Sequence, residues 1–413
     1  MDKHLAGGRG GGGSRGGGRK SGFYRGGSSN SVPSSSAPPW RHRRSDHTEP
    51  VTGSQAISDP SPSIPEQDTK SEHGFIAPVL IGTCPDMCPE KERAQRERLR
   101  DLSVFERLNG NLGRTSPSLA VKKFCRTMST LHMQTSDIRP PSVLQNTLKY
   151  LLGLLESTSH PFDVVHDFIF DRTRSIRQDL TMQQIINEQA IDMYEEIVKF
   201  HITSHCKLAR YSGKSDESSL YYLNMEQLMK CLLSLFDMYD TARRSKGVIK
   251  NEAEFRSYYV LLHLGCKIPT MGNSLSLWFC RIPFSILQSE EMCLARTLLR
   301  YYRMGDYKQF FSTTATGASH LQLCLLEPFL NEVRAQALAY INLCGYKVNP
   351  YPLTHLSKLL MIQEQDLESL CSACGLETCI DEAGTKLLPA KQASFSLPKL
   401  GFQSYGLLNR DTC

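Results

Sequence analysis

Apolar residues recur at three- and four-residue spacing along most of the chain, the period of a helix with one buried face. Val143, Leu144, Thr147, Leu148, Leu151, Leu152 and Leu155 form one such stripe, and the preceding Pro140-Pro141 suits a first helical turn. Upstream, Val121, Phe124, Met128 and Leu131 predict another helix. Ala190, Tyr194, Ile197, Val198 and His201 predict a third, and Met225, Leu228, Met229, Leu232, Leu235, Phe236 and Tyr239 a fourth. Stretches 252–265, 290–311 and 326–345 continue the pattern, with Gly265 and Gly345 placed as helix C-caps. Within "RMGDYKQFF" (303–311) a Gly-Asp turn separates two helices with aromatics on each side. The breaks are short and no exact sequence repeat is present. A succession of helices of roughly 15–25 residues joined by tight turns predicts a mostly α fold of stacked helix pairs, a TPR/PCI-like helical solenoid.

The pattern changes near residue 352. "PLTHLSKLLMI" (352–362) and "EQDLESLCSACGL" (364–376) read as two short helices. "TKLLPAKQASFSL" (385–397) reads as β-like, interrupted by Pro389. Helix, helix, hairpin is the order of a winged-helix module. Four segments are therefore expected: a disordered tail (1–74), a helical domain (75–351), a winged helix (352–398) and a C-terminal tail (399–413).

Charge locates a different chemistry. Residues 1–50 carry nine Lys or Arg and three acids, which accounts for the whole net charge of +6. Residues 51–413 are formally neutral, so nucleic-acid binding has to be judged separately for tail and body. Residues 1–30 hold 12 glycines and cannot bury enough apolar surface to offset backbone entropy; order is expected to begin near Phe75-Ile76. Within the tail, Arg9, Arg15, Arg19 and Arg25 with Phe23 and Tyr24 form an RGG-type element. Such arginines contact phosphates and such rings stack on bases, giving weak RNA association; the other reading is a solvating tail. A Gly-x-Gly-x-x-Gly match at Gly8, Gly10 and Gly13 carries no nucleotide-binding meaning, because no strand precedes it and no helix follows. No apolar run approaches the ~20 residues of a membrane span, so no membrane partner is expected. The 14 cysteines, among them Cys125, Cys206, Cys231, Cys266, Cys280, Cys293, Cys324 and Cys344, mostly sit singly beside apolar residues and read as reduced, buried thiols.

"CPDMCPEKERAQRER" (84–98) admits two readings. Cys84 and Cys88 would be half of a zinc site, but structural zinc wants four ligands, and the next cysteines are Cys125 and a distant group, Cys371, Cys374 and Cys379. In that group Cys371 and Cys374 share a predicted core stripe with Leu367 and Leu370. Otherwise Pro85 and Pro89 fix the backbone and lead into a charged helix, with Glu90 and Glu92 near its positive end and Arg93–Glu97 and Glu92–Arg96 at i,i+4 spacing. That helix is poor in apolar residues and reads as solvated or lying in a groove. In "DRTRSIRQDL" (171–180), Arg172, Arg174 and Arg177 with Asp171 and Asp179 follow an apolar run. They read as an intramolecular ion-pair lattice or, alternatively, as an anion or RNA-phosphate contact. No nucleophile elbow, Walker loop, zinc-protease motif or paired catalytic carboxylates occur, so no enzyme, cofactor or small-molecule substrate is expected. His201 and His205 share a helix face and read as structural rather than metal-binding histidines.

"GTCPDMCPEKERAQRE" (82–97), "VKKFCRT" (121–127), "DRTRSIRQDLTMQ" (171–183) and "EFRSYYVLLHLG" (254–265) together resemble the Sac-three/GANP homology family, in its order and spacing, over about residues 80–380. The resemblance implies a helical solenoid ending in a PCI-like winged helix. It implies a non-enzymatic scaffold that pairs winged helix to winged helix with a second PCI-type protein and recruits a small acidic protein. It makes Cys84, Met87, Cys88, Pro89, Glu92, Arg93 and Arg96 the family-motif docking residues. The long members of the family work in nuclear mRNA export; the short animal members are associated with centrosome duplication and the spindle. This chain's length and its lack of Phe-Gly repeats resemble the short members. The expected role is therefore a scaffold for centrosome duplication, spindle organisation and mitotic progression, at centrosome, spindle and cytoplasm and also in the nucleus. The alternative is a subunit of a nuclear mRNA-export complex that contacts RNA through the RGG tail.

Overall fold

The structure is a computed structural model that describes residues 80–127, 134–157, 160–211, 219–245, 247, 249–265, 274–344, 349–398 and 405. The RGG-type residues Arg9, Arg15, Arg19, Phe23, Tyr24 and Arg25, the expected onset of order at Phe75-Ile76, and Met128, Leu131, Cys266 and Gly345 lie outside the described residues. By their contacts Met1–Gly74 and Phe75–Cys413 are separate units, and every described residue belongs to the second.

Among the described residues there are thirteen α-helices and three short strands. The first helix, α1 (Glu90–Leu99), starts at Pro89 and ends at Arg100 in the left-handed conformation. The long helices follow: α2 (Pro141–Ser157), α3 (Phe162–Met182), α4 (Glu188–Tyr211) and α5 (Ser219–Arg244). Next come α6 (Glu252–Leu262), the short α7 (Leu275–Phe279) and α8 (Phe284–Leu287), and then α9 (Glu290–Met304), α10 (Tyr307–Gly317) and α11 (His320–Cys344). Neighbours stack in pairs, α2 on α3, α4 on α5, α6 on α9 and α9 on α10, while α11 lies against α4 and α6. The result is a helical solenoid. The α5–α6 corner is tied by charge: Arg256 binds Glu252 at 2.6 Å and Asp240 at 2.7 Å, and Arg243 reaches Glu252 as well.

The chain ends in a winged helix. Strand β1 (Tyr351–Pro352) precedes α12 (Leu353–Leu359) and α13 (Glu364–Ala373), and a hairpin of β2 (Cys379–Ile380) and β3 (Lys386–Leu388) follows. The sheet order is β1-β3-β2, antiparallel throughout, with Tyr351 opposite Leu388 and Cys379 opposite Leu387. Leu353, Leu356, Leu367, Leu370 and Leu388 continue the solenoid core without a break. Two buried residues of α11 fix the module. Arg334 donates to the carbonyls of Leu360 at 3.0 Å and Met361 at 2.6 Å. Asn342 exchanges side-chain hydrogen bonds with the backbone of Gln392, both at 2.8 Å. Burial lowers the Arg334 guanidinium to about 10, offset in part by the charge of Asp366.

The structure departs from the sequence reading at several points. Residues 121–124 are not helical, because their amides are taken by acceptors far away in sequence. The helix of 252–265 stops at Leu262 and is capped by His263. Gly265 is instead a packing glycine, since a Cβ there would sit 2.8 Å from the Phe329 ring. The helix expected from Leu326 begins at His320, where Ser319 and Gln322 cap one another, so Pro328 lies inside it. The hairpin is 379–388 rather than 385–397. Cys206, Cys231 and Cys324 are buried, but Cys125, Cys280, Cys293 and Cys344 are exposed. They occupy a non-helical segment, the C-cap of α7, the outer face of α9 and the last residue of α11.

The Gly-Asp corner reads directly from sequence to structure. Gly305 caps α9 with φ 71°, and the Asp306 carboxylate accepts the Gln309 amide at 3.1 Å to start α10. A Cβ on Gly305 would also meet the Tyr340 hydroxyl at 2.8 Å, whereas Gly384, with φ 80°, faces open space. Gly384→Ala is therefore expected to cost about 1 kcal/mol of unfolding free energy, the strain of a left-handed residue. Gly305→Ala should cost measurably more in the same urea titration; equal losses would show that the Tyr340 contact gives way freely.

Candidate functional site

Three of the sequence motifs meet at one junction, where 82–106, 121–124 and 135–139 are laid across α3, while the fourth (254–265) lies on α6. Gly82 starts it. Its amide donates to the Gln183 side chain at 2.9 Å, and a Cβ there would come within 2.6 Å of the Ile138 carbonyl oxygen. Thr83 and Cys84 then donate to the Thr135 and Ile138 carbonyls, both at 2.9 Å. Pro85 and Pro89 remove two amides that would have needed partners in this tight passage. The Met87 carbonyl accepts from the Lys122 amide at 3.0 Å and from Arg139 at 3.2 Å. Arg93 closes the loop through Asp86 at 3.0 Å and the Cys88 carbonyl at 3.4 Å. Of the two ion pairs read from the sequence, Glu92–Arg96 is present at 3.7 Å; the Glu97 carboxylate instead accepts the Thr115 amide, because Arg93 turns toward Asp86.

Arg96 is the only buried residue of α1, so this helix docks by charge rather than by an apolar stripe. It binds the Glu106 carboxylate, the Val121 carbonyl at 3.0 Å and the Asp101 carbonyl at 3.2 Å. Glu106, fully buried, also takes Arg172 at 3.1 Å and the amides of Ser103 and Val121, both at 3.0 Å. Burial alone would raise its carboxyl, but the Arg172 charge and the Arg96 hydrogen bond outweigh that and hold it below the usual range. The four amides of 121–124 are thereby all committed. Val121 goes to Glu106, Lys122 to the Met87 carbonyl, Lys123 to Glu92 at 2.8 Å and Phe124 to Asp171 at 3.2 Å. That is why the 3–4 spacing at Val121 and Phe124 does not make a helix.

The second centre is Asp179, also fully buried. Lys122 Nζ and Arg139 Nε each bind it at 2.7 Å, and Arg139 reaches on to the Ser175 hydroxyl at 2.9 Å. Of the lattice residues read in "DRTRSIRQDL", Arg172 pairs with its neighbour Asp171 as well as with Glu106. Arg174 and Arg177 form no ion pair among the described residues. Arg174 lies over the Phe124 ring at 3.8 Å, and Arg177 donates to the Gln227 side chain at 2.5 Å. The groups that complete the lattice therefore come from outside the motif: the acid Glu106 and the bases Lys122 and Arg139. Glu106, Lys122 and Arg139 were missed by sequence reasoning; the one local signal was Ser103-x-x-Glu106, a capping box that the structure contains.

The thiols of this junction are inert. Cys84 donates to the Asp86 carbonyl at 3.3 Å and Cys88 to the Pro89 carbonyl at 3.6 Å. Burial raises both, Cys88 to about 12, so neither is a thiolate at neutral pH. Among the described residues no three His, Cys, Asp or Glu side chains are grouped to hold a metal. His201 binds the Asn224 side chain at 2.7 Å and His205 stacks on Tyr221 at 4.9 Å. Burial lowers them to about 3 and about 4, keeping both neutral. The junction can lock segments together; it presents no activated nucleophile.

The winged helix offers a different surface. Between Gln363 and Gln392 it carries Glu364, Asp366, Glu368, Glu377, Asp381 and Glu382 against Lys386 and Lys391. Glu377, Asp381 and Glu382 are exposed, as is Ile380 at 68% beside them on the edge strand β2.

The SAC3/GANP family model matches residues 87–379. The chain belongs to the SAC3/GANP family. The match runs from Met87 in the junction to β2 of the winged helix. SAC3 family protein B of Arabidopsis thaliana is 38% identical over 312 residues, 74% of this chain and 18% of that protein. SAC3 family protein 1 of Schizosaccharomyces pombe is 31% identical over 363 residues, 82% of this chain and 34% of that protein. Protein xmas of Drosophila melanogaster is 28% identical over 337 residues, 77% of this chain and 16% of that protein. This SAC3/GANP chain therefore spans no more than about a third of the length of these three relatives.

Removing the central carboxylate tests the junction. Glu106→Gln leaves Arg96 and Arg172 without their shared counter-charge and is expected to cost about 3–5 kcal/mol in denaturant unfolding at pH 7. Glu92 is raised by burial and chiefly accepts the Lys123 amide, a bond glutamine keeps, so Glu92→Gln should cost far less. Because the Glu106 pKa is lowered on folding, its contribution is complete above its ordinary value of 4.5 and is lost as pH falls through the folded-state value. Glu106→Gln should therefore show a shallower acid limb than the parent.

Proposed function

We propose that this protein is a non-enzymatic scaffold subunit of a nuclear mRNA-export complex. In this reading the winged helix docks a second PCI-type protein, a small acidic protein joins the assembly, and the RGG-type tail contacts RNA. Family membership supports a scaffold acting within protein complexes. The SAC3 family relatives support the export reading over a role in centrosome duplication and at the spindle, which draws on no residue pattern of its own. The corresponding location is the nucleus. Cys84, Met87, Cys88, Pro89, Glu92, Arg93 and Arg96 serve by clipping the 82–100 segment onto the solenoid, which keeps the docking surface stiff.

The observation that carries the docking role is the charge of the winged helix. A nucleic-acid reader presents lysines and arginines to phosphate. Here α13 and the wing are acidic, and an exposed apolar edge lies among the acids. Such a face repels a phosphate backbone and suits a protein partner with basic groups around an apolar centre. RNA contact is accordingly assigned to the tail alone.

Glu364→Lys with Glu382→Lys is expected to weaken capture of the second PCI-type protein by about tenfold or more while the circular dichroism spectrum stays unchanged. Undiminished capture would remove the docking role. Depleting the protein from cells should cause polyadenylated RNA to accumulate in the nucleus. Altered centrosome number with normal RNA distribution would favour the mitotic reading instead.

A further inference from the structure

A second surface lies where α9 meets α7 and α8. A groove of about 440 Å³ runs there, lined by Phe279, Leu287 and Met304 and by three arginines, Arg296, Arg300 and Arg303. The arginines fall on one exposed face of α9, whose opposite face buries Met292, Ala295 and Leu298 in the solenoid. Among the described residues no carboxylate lines the groove. None of the three arginines forms an ion pair among the described residues. Arg296 donates to the Leu287 carbonyl at 3.3 Å and approaches the Phe279 ring, and Arg300 lies over the Tyr301 ring at 5.2 Å. Met304, in the groove, is 71% exposed, and Phe284, on α8, is 72% exposed.

Helix energetics account for only part of this. A cation in the last turn of a helix is favoured by the helix dipole, which covers Arg303. Arg296 stands two turns earlier, where that effect has faded. The buried arginines Arg96, Arg139, Arg172 and Arg256 each pair with a carboxylate, whereas these three exposed arginines meet none among the described residues. A row of three without counter-charge beside an apolar trough is a surface whose complement is missing from the chain as described.

We propose that this groove binds an acidic peptide segment of a partner protein, which places an apolar side chain between Leu287 and Met304 and carboxylates against Arg296, Arg300 and Arg303. The trough decides for peptide over RNA. Its floor is mainly aliphatic, and bases stack on flat faces, whereas a leucine-sized side chain fills such a trough. Guanidinium groups pair with carboxylates in a fixed plane, and the apolar anchor supplies the burial that exposed ion pairs lack. The groove includes no residue of the winged helix, so this site is independent of the docking face proposed above.

The probe is a fluorescein-labelled peptide of repeated Glu-Glu-Leu-Asp, titrated by anisotropy into the full chain. Its affinity should fall about tenfold or more in Arg300→Glu with Arg303→Glu, and also when the peptide leucines become serine. Arg300→Gln with Arg303→Gln should give a smaller loss in the same direction, which covers the case in which charge reversal disturbs folding. Glu364→Lys with Glu382→Lys should leave this binding intact, so failure here and failure of the winged-helix reading are separable. Equal affinity of parent and both arginine variants, equal affinity of leucine and serine peptides, or a preference for labelled oligouridine at the same ionic strength would each overturn the proposal.

Discussion

A buried carboxylate between two guanidinium groups is the constraint on which the N-terminal half of this protein depends. Glu106 is inaccessible to water, and an isolated carboxylate there would cost several kcal/mol. Arg96 from α1 and Arg172 from α3 neutralise it, and the Ser103 and Val121 amides complete its hydrogen bonds. Each of these groups comes from a different segment. Satisfying one charge therefore fixes four pieces of chain, including a helix with almost no apolar contact of its own. Asp179 repeats the device one step along α3 with Lys122 and Arg139. Between the two carboxylates runs the 121–124 segment, with every amide assigned.

At the other end the ordering element is α11. Its apolar residues join the α4 and α6 layers, and its polar residues reach forward to the winged helix. Arg334 binds carbonyls at the end of α12, where Met361 adopts a left-handed conformation, and Asn342 pairs with the backbone of Gln392. Buried donors with good acceptors on both sides are strongly orienting, because any slip would strand a charge or an amide without water. The winged helix is thereby held on the solenoid as one core.

This economy of buried charge bears on function. The candidate groups of the junction and of α4 are engaged inside: the thiols of Cys84 and Cys88 stay protonated, His201 and His205 stay neutral, and the junction arginines are paired or stacked. What faces outward is shape and charge. The winged helix shows acids around an exposed isoleucine, and around an apolar trough α9 shows arginines that have no carboxylate partner among the described residues. Both are features of a macromolecule that works by holding others.

Much of the fold was legible because helices announce themselves locally. The stripes at 143–155, 190–201 and 225–239 became α2, α4 and α5, and the Gly305-Asp306 corner followed from one residue that tolerates positive φ and one that caps. Spacing of this kind depends only on near neighbours, so sequence alone determined these helices, the helix-helix-hairpin order and the position of the charged motifs. It could not determine partners. The stripe at Val121 and Phe124 looked helical until Glu106, Glu92 and Asp171 claimed its amides; Arg174 looked like an ion-pair residue until Phe124 was placed beneath it. Buried charge is satisfied by whatever the fold brings within about 3 Å, and that proximity is set by packing across dozens of residues rather than by spacing along the chain. The sequence therefore determined most of the helical segments and which stretches carry charge, while the tertiary structure decided where a helical stripe gives way, which charges cancel inside and which remain outside to be met by something else.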